Sequence, residues 1–77
     1  MREIIDVKPL EDYKLLLTFD TMEKKIKDMK PYLNKGVFKK LTDVDVFNSV
    51  KIAFGTIYWG DIDICADSLY ESSTDAN

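Results

Sequence analysis

Side chains that could carry out chemistry are concentrated in the last third of the chain, where residues 50–70 read VKIAFGTIYWGDIDICADSLY. Asp61 and Asp63 are two residues apart, a spacing that places both carboxylates on one face of a strand. Such a pair could begin the oxygen coordination of Mg²⁺ or Ca²⁺. The segment has neither the glycine turn nor the twelfth-position glutamate of a calcium loop. We therefore expect solvent-exposed carboxylates, and we predict no metal site and no cofactor.

Cys65 is the second candidate, because a thiolate is a nucleophile when a neighbouring base or cation lowers its pKa. The chain contains no histidine, which removes the commonest activating base. Cys65 is therefore expected to be a small buried side chain, and no catalytic residue is predicted. A single cysteine also excludes an intrachain disulfide, which suits a reducing cytoplasm. We predict a cytoplasmic protein that is not an enzyme.

The aromatic residues of the same segment could bind a ligand by stacking or close a hydrophobic core. Trp59 continues the inward side of its strand after Ile57, so we expect it in the core. Tyr58 falls on the opposite side of that strand. Together with Leu16, it is the best candidate for an exposed apolar patch, and such patches mark surfaces that bind partners.

These residues must be positioned by a small domain, since the chain has 77 residues, of which 45% are hydrophobic and nine are aromatic. This composition favours a folded core over disorder. We expect one compact domain over residues 1–71 and a flexible tail over residues 72–77. No apolar run approaches the roughly 20 residues that a membrane-spanning helix needs.

The apolar periodicity predicts strands more than helices. Tyr13, Leu15, Leu17 and Phe19 alternate with other residues, which is typical of a half-buried strand. Strands are also predicted near residues 4–7, 22–29, 50–54, 57–59 and 62–64. In the strand over residues 22–29, we expect Ile26 to point inward and Lys25 and Lys27 outward. Short helices are predicted over residues 36–41, after an N-cap at Thr42 or Asp43, and near Leu69 after an N-cap at Asp67.

Charge is unevenly distributed along the chain. Residues 24–40 contain seven lysines and one aspartate, whereas residues 41–77 contain one lysine and seven acidic residues. The net charge is therefore about +6 over residues 24–40 and about −6 over residues 41–77. The Lys24–Lys40 segment could contact phosphates. It contains no arginine, which is the residue best suited to bidentate phosphate recognition, so nucleic-acid binding is kept as the alternative function.

A set of residues recurs in the order found in one bacterial family: Phe19-Asp20, residues 28–33 (DMKPYL), residues 35–38 (KGVF), Leu41, Phe47, Trp59, Cys65 and Leu69-Tyr70. Over about residues 3–72 the chain resembles the family called domain of unknown function 2442 (DUF2442). The resemblance implies a compact α+β domain on antiparallel sheet, with no catalytic residues to transfer. Some relatives are encoded beside a small partner, in arrangements similar to toxin–antitoxin pairs. The family usually has Gly at the position of Met22 and often has Pro at that of Ala66.

The combined expectation is an α+β fold. It has an antiparallel sheet of about five strands, a meander followed by a hairpin, with short helices between strands three and four and at the C-terminus. The predicted function is a non-enzymatic interaction module, the antitoxin-like or regulatory half of a two-gene pair. It would bind a protein partner or a second copy of itself rather than nucleic acid or a membrane, and the sequence points to no known small-molecule ligand. The candidate partner surface consists of Leu16, Lys25, Lys27, Tyr58, Asp61 and Asp63.

Overall fold

The computed structural model describes residues 2–76. Met1, the first residue of the expected domain, and Asn77, the last residue of the expected tail, lie outside the described residues. Seven strands form within this range: β1 (Ile4–Leu10), β2 (Lys14–Phe19), β3 (Lys24–Asp28), β4 (Lys51–Ala53), β5 (Thr56–Trp59), β6 (Ile62–Ile64) and β7 (Thr74–Asp75). The two α-helices are α1 (Val44–Phe47) and α2 (Ala66–Ser72). Three short 3₁₀ helices cover Glu11–Tyr13, Lys30–Tyr32 and Gly36–Thr42. None of the helices in this range is long and apolar enough to cross a membrane.

The strands form two antiparallel sheets, one with the order β1-β2-β3-β7 and one with the order β4-β5-β6. The α+β class, the antiparallel pairing and the positions of the helices are confirmed. The expected single sheet of about five strands is wrong. The 3₁₀ and helical segments between β3 and β4 separate the meander from the hairpin. β1 meets the hairpin instead through a backbone hydrogen bond of 2.8 Å from Ile4 N to Gly55 O.

The core lies between these sheets and is closed by the helices. Leu15, Leu17 and Phe19 are completely buried, which confirms the alternation predicted for β2. Trp59 is 3% exposed and Leu69 is 1% exposed. The predicted short helix after Gly36 is confirmed as a 3₁₀ helix that contributes the buried Leu41. Asp43 caps α1 by accepting a hydrogen bond from Asp45 N, also as predicted.

The expected orientation of β3 is wrong by one residue. Lys27 pairs with Leu15 and Lys25 with Leu17, so both lysines lie on the core side of the sheet. Ile26 pairs with Leu16 on the opposite side, where both are half-buried. The connection sets this register, because Phe19 N donates to Glu23 O across a three-residue loop. A shift of one residue moves every side chain of a strand to the other face.

Two further local predictions fail near the C-terminus. Cys65 is exposed, because it follows Asp63 on the outer side of β6 and occupies the N-cap position of α2. Asp67 lies in the first turn of α2 and is not its cap. Leu69 and Tyr70 do fold back onto the core as predicted, with the Tyr70 ring meeting Phe19 edge-on at 5.2 Å.

The segment after α2 forms a strand that the sequence pattern did not predict. In β7, Asp75 pairs with Lys25 and Thr74 with Ile26, and Ala76 N donates to Lys24 O at 3.0 Å. Lys25 Nζ lies 3.3 Å from the Asp75 carboxylate. Two residues are too few to show a strand periodicity, so only the edge of β3 reveals this pairing.

Acid should weaken the attachment of α2 to β3. The Tyr70 hydroxyl donates to the Glu23 carboxylate at 2.8 Å, and this bond, followed by that from Thr21, lowers the pKa of Glu23 below its ordinary value. The unfolded chain therefore binds a proton more readily than the folded chain. The stabilisation is present above the ordinary carboxylate pKa and is lost as the pH falls through the lowered one.

We expect the thermal midpoint to fall between about pH 5 and pH 2, and Glu23→Gln to make this part of the pH profile shallower. Circular dichroism melts of both proteins at a series of pH values measure the effect. Glu11→Gln, which changes another exposed glutamate, is the matched control. Identical slopes for the wild type and Glu23→Gln would contradict this prediction.

Candidate functional site

The six residues of the predicted partner surface fall into two separate regions. Tyr58 and Asp63 lie on the second sheet and Asp61 lies in the turn between β5 and β6, not on the strand as expected. Leu16, Lys25 and Lys27 belong to the first sheet. Lys27 is only 7% exposed and the Lys25 side chain only 12%. The outward orientation expected for these two lysines is therefore wrong, and only the residues of the second sheet form a continuous exposed surface.

The pairing of β4, β5 and β6 gives this sheet an apolar inner side and a polar outer side. Ile52, Ile57 and Ile64 are aligned on the inner side. Lys51, Tyr58 and Asp63 form the matching row on the outer side. We call the outer side the hairpin face, and it consists of Lys51, Ala53, Phe54, Thr56, Tyr58, Asp61 and Asp63.

Phe54 is the most exposed large hydrophobic residue of this face. Its side chain is fully exposed at the tip of the β4–β5 hairpin, with a relative exposure of 102%. Its φ is +54° and that of Gly55 is +76°, so both loop residues adopt the left-handed conformation of a two-residue hairpin loop. Such a φ is rare for a bulky side chain.

Sequence reasoning missed Phe54, because the alternation of Val50 and Ile52 predicts an inward Phe54 and a turn at Gly55-Thr56. The pairing of Ala53 with Thr56 places Phe54 inside the loop instead. The available signal was the dipeptide Phe54-Gly55, since glycine at the second position of a two-residue loop is typical of this turn. A loop at Phe54-Gly55 instead of Gly55-Thr56 places the Phe54 ring outside the strand, where it is exposed.

A shallow groove of about 490 Å³ crosses the hairpin face between Phe54, Tyr58 and the two aspartates. Asp61 is 3.9 Å from Lys40 Nζ, and Asp63 forms no ion pair with any residue in the range 2–76. The groove therefore combines aromatic surface with net negative charge. These properties suit contact with a protein that offers an apolar pocket and basic side chains.

Cys65 lies beside this face but lacks catalytic neighbours. The Ser68 hydroxyl, 3.3 Å from Sγ, and then the Ser68 backbone amide lower the pKa of the thiol. The thiol is exposed. Among residues 2–76, no group of three or more histidine, cysteine, aspartate or glutamate side chains is arranged to hold a metal ion.

Several lysines of the basic segment have partners within the fold. Lys27 bonds Tyr32, and Lys30 pairs with Asp12 and Asp28. Lys25 and Lys40 pair with Asp75 and Asp61. Four of the seven lysines are therefore engaged within the fold, which does not favour nucleic-acid binding by this segment.

Comparison with protein-family models identifies the family of the chain. The family model described as "Protein of unknown function (DUF2442)" matches residues 4–75, which is nearly the whole chain. The chain belongs to the DUF2442 family. No curated protein and no solved structure matches it significantly.

The two departures from the DUF2442 pattern have simple structural explanations. Met22 has a φ of +72° and ends the three-residue loop between β2 and β3, a position that favours glycine. Ala66 is the first residue of α2, where proline is favoured because its missing N–H is not needed. The Met22 position therefore carries backbone strain that glycine would avoid.

Proposed function

We propose that this DUF2442 protein is a non-enzymatic interaction module that binds a protein partner through the hairpin face. The observation that carries the proposal is Phe54, a fully exposed ring on a left-handed backbone. Backbone strain costs free energy and persists mainly where it serves a function, and the exposed ring gains nothing from folding until another molecule covers it. Exposed aromatic residues are also enriched among the residues that dominate binding energy at interfaces.

The partner chemistry follows from the surroundings of Phe54. The ring would enter an apolar pocket, while Tyr58 packs beside it. Asp63, which forms no ion pair among the described residues, would face lysine or arginine side chains at the edge of that pocket. The −6 charge of residues 41–77 would speed the approach of such a partner.

The biological setting that we propose is a cytoplasmic two-gene pair, in which this protein is the antitoxin-like or regulatory half. The other gene product would then be the partner. This part of the proposal is supported by the arrangement of some DUF2442 genes and by the lack of catalytic residues around the hairpin face.

The test is a binding measurement between the purified protein and the product of the adjacent gene, together with light scattering of each protein alone. We expect a one-to-one complex at micromolar concentration. Asp63→Lys should weaken it by about tenfold through a slower association rate, with most of the loss removed at high salt. Asp6→Lys, an equal change of charge on the exposed side of β1, is the matched control and should have little effect.

No association at micromolar concentration, with a monomer by light scattering, would count against the proposal. Equal weakening by Asp63→Lys and Asp6→Lys would show that net charge, and not the hairpin face, governs the association. A dimer of the protein alone that Asp63→Lys disrupts would identify a second copy as the occupant of this face.

A further inference from the structure

Lys27 is a buried cation without an acidic partner. It is 7% exposed, and its Nζ donates to the Tyr32 hydroxyl at 2.9 Å and lies 4.6 Å from the Tyr32 ring centroid. None of the five ion pairs formed within residues 2–76 includes it. The neighbouring Lys25 and Lys30 each have an aspartate. Buried charges are normally paired, so the position of Lys27 requires an explanation.

Lys27 lines a groove of about 660 Å³ between the edge of β3, the 3₁₀ helix Lys30–Tyr32 and the end of α2. Two more lysines line it, Lys14 and Lys35, and the aspartate there, Asp28, already accepts hydrogen bonds from Lys30. Three lysines and one aspartate leave the groove with a net charge of +2. The remaining lining residues combine hydroxyl-bearing and apolar side chains: Tyr32, Ser72, Thr74, Ile26 and Pro31.

We propose that this groove binds a small molecule through its phosphate group, with Lys27 as the central contact. A lysine ammonium is a compact charge with three donor hydrogens, which suits a phosphate oxygen. The Tyr32 hydroxyl accepts from Lys27 and can donate its own hydrogen to the same phosphate, whereas the hydroxyls of Ser72 and Thr74 already donate to backbone carbonyls. A phosphate monoester carries a charge of about −1.5 to −2, which matches the +2 of the groove. The groove volume lies within the usual range for ligand sites, so the rest of the molecule can pack on Ile26 and Pro31.

The site is separate from the hairpin face. It lies on the first sheet and involves neither Phe54 nor Asp63. The phosphate group of the ligand would then supply the negative charge that Lys27 lacks. Burying Lys27 unpaired lowers the stability of the free protein, as is common where a binding site is formed in advance.

The test is a titration of ¹⁵N-labelled protein followed by amide chemical shifts, with sodium phosphate, adenosine monophosphate and sodium acetate at constant ionic strength. We expect saturable shifts centred on Lys27, Tyr32 and Thr74. The shifts should be half-saturated at a millimolar concentration of phosphate, and at a concentration of adenosine monophosphate at least about fivefold lower. Acetate should bind more weakly than either.

Variants separate this role from a structural one. Lys27→Met keeps the aliphatic packing, and we expect at least tenfold weaker phosphate binding with a raised thermal midpoint. Lys39→Met, which changes an exposed lysine outside the groove, is the matched control and should leave both quantities unchanged. If Lys27→Met does not fold, Lys14→Gln at the edge of the groove provides the second variant and should weaken phosphate binding several-fold.

Three results would overturn the proposal. The first is a titration that does not saturate, or that shifts the exposed lysines as much as the groove. The second is phosphate binding by Lys27→Met equal to that of the wild type, together with a lowered midpoint, which would make Lys27 structural. The third is much tighter binding of a ten-nucleotide single strand that depends equally on Lys24 and Lys39, which would identify nucleic acid as the ligand.

Discussion

Trp59→Ala is expected to destabilise the folded protein by about 3–5 kcal/mol. Trp59 is 3% exposed and stacks on Phe47 with ring centroids 6.0 Å apart. Its Nε1–H also donates to the Phe47 backbone carbonyl at 2.9 Å. Truncation of Trp59 to alanine leaves a cavity in the core. It also leaves the buried Phe47 carbonyl without its hydrogen-bond donor. A domain of 77 residues has a total stability of about 4–12 kcal/mol, so this loss removes a large fraction of it.

Urea denaturation followed by far-ultraviolet circular dichroism measures this loss, because the variant lacks the chain's one tryptophan fluorophore. Trp59→Phe is the informative comparison. It keeps an aromatic ring against Phe47 but not the hydrogen bond, and should cost about 1–3 kcal/mol. A loss below 1 kcal/mol for Trp59→Ala would mean that this side chain does not support the core.

Phe54→Asn is expected to have opposite effects on stability and on partner binding. The Phe54 side chain is fully exposed, so its removal should cost little packing energy. Asparagine tolerates a φ of +54°, and Asn-Gly is the favoured sequence for this hairpin loop. We expect a gain of about 1 kcal/mol in stability from the relieved backbone. Affinity for the adjacent gene product should fall at least about 30-fold, the size expected for loss of a dominant interface residue.

Met22→Asn is a closely matched control for Phe54→Asn. Met22 is also an exposed apolar residue in a hairpin loop, with 70% exposure and a φ of +72°, but it lies on the first sheet. Both variants should unfold at higher urea concentration than the wild type, and only Phe54→Asn should lose the partner. Equal affinity of the two variants for the partner would exclude Phe54 as an interface residue.

The parts of the fold that were predicted correctly are those with a local cause. Alternation along Leu15, Leu17 and Phe19 identified β2, because a strand presents every second side chain to the same face. Asp43 was identified as a cap because an aspartate before a helical turn can accept from its free amides. The same local reasoning identified Trp59 as a core residue and Tyr58 and Asp63 as its outward neighbours.

The errors concern residues whose environment is set by distant parts of the chain. Lys27 was expected on the surface, because nothing in its own segment shows that β3 pairs with Leu15 opposite Lys27. The exposure of Phe54 depends on the register between β4 and β5, which one residue of loop length decides. The pairing of β7 with β3 joins residues about 50 positions apart, Lys25 and Asp75 among them.

The sequence by itself determined that this protein is a small α+β domain of the DUF2442 type, with a hairpin whose Trp59 faces inward and whose Tyr58 and Asp63 face outward. These features follow from periodicity, turn residues and the order of a few family positions, which are properties of short segments. Only the tertiary structure decided that Phe54 is exposed at the tip of that hairpin and that Lys27, which has no carboxylate partner among residues 2–76, is buried beside a groove. Burial and charge pairing depend on which segments contact one another. Those contacts are fixed by strand register, which is set only when the whole chain has folded.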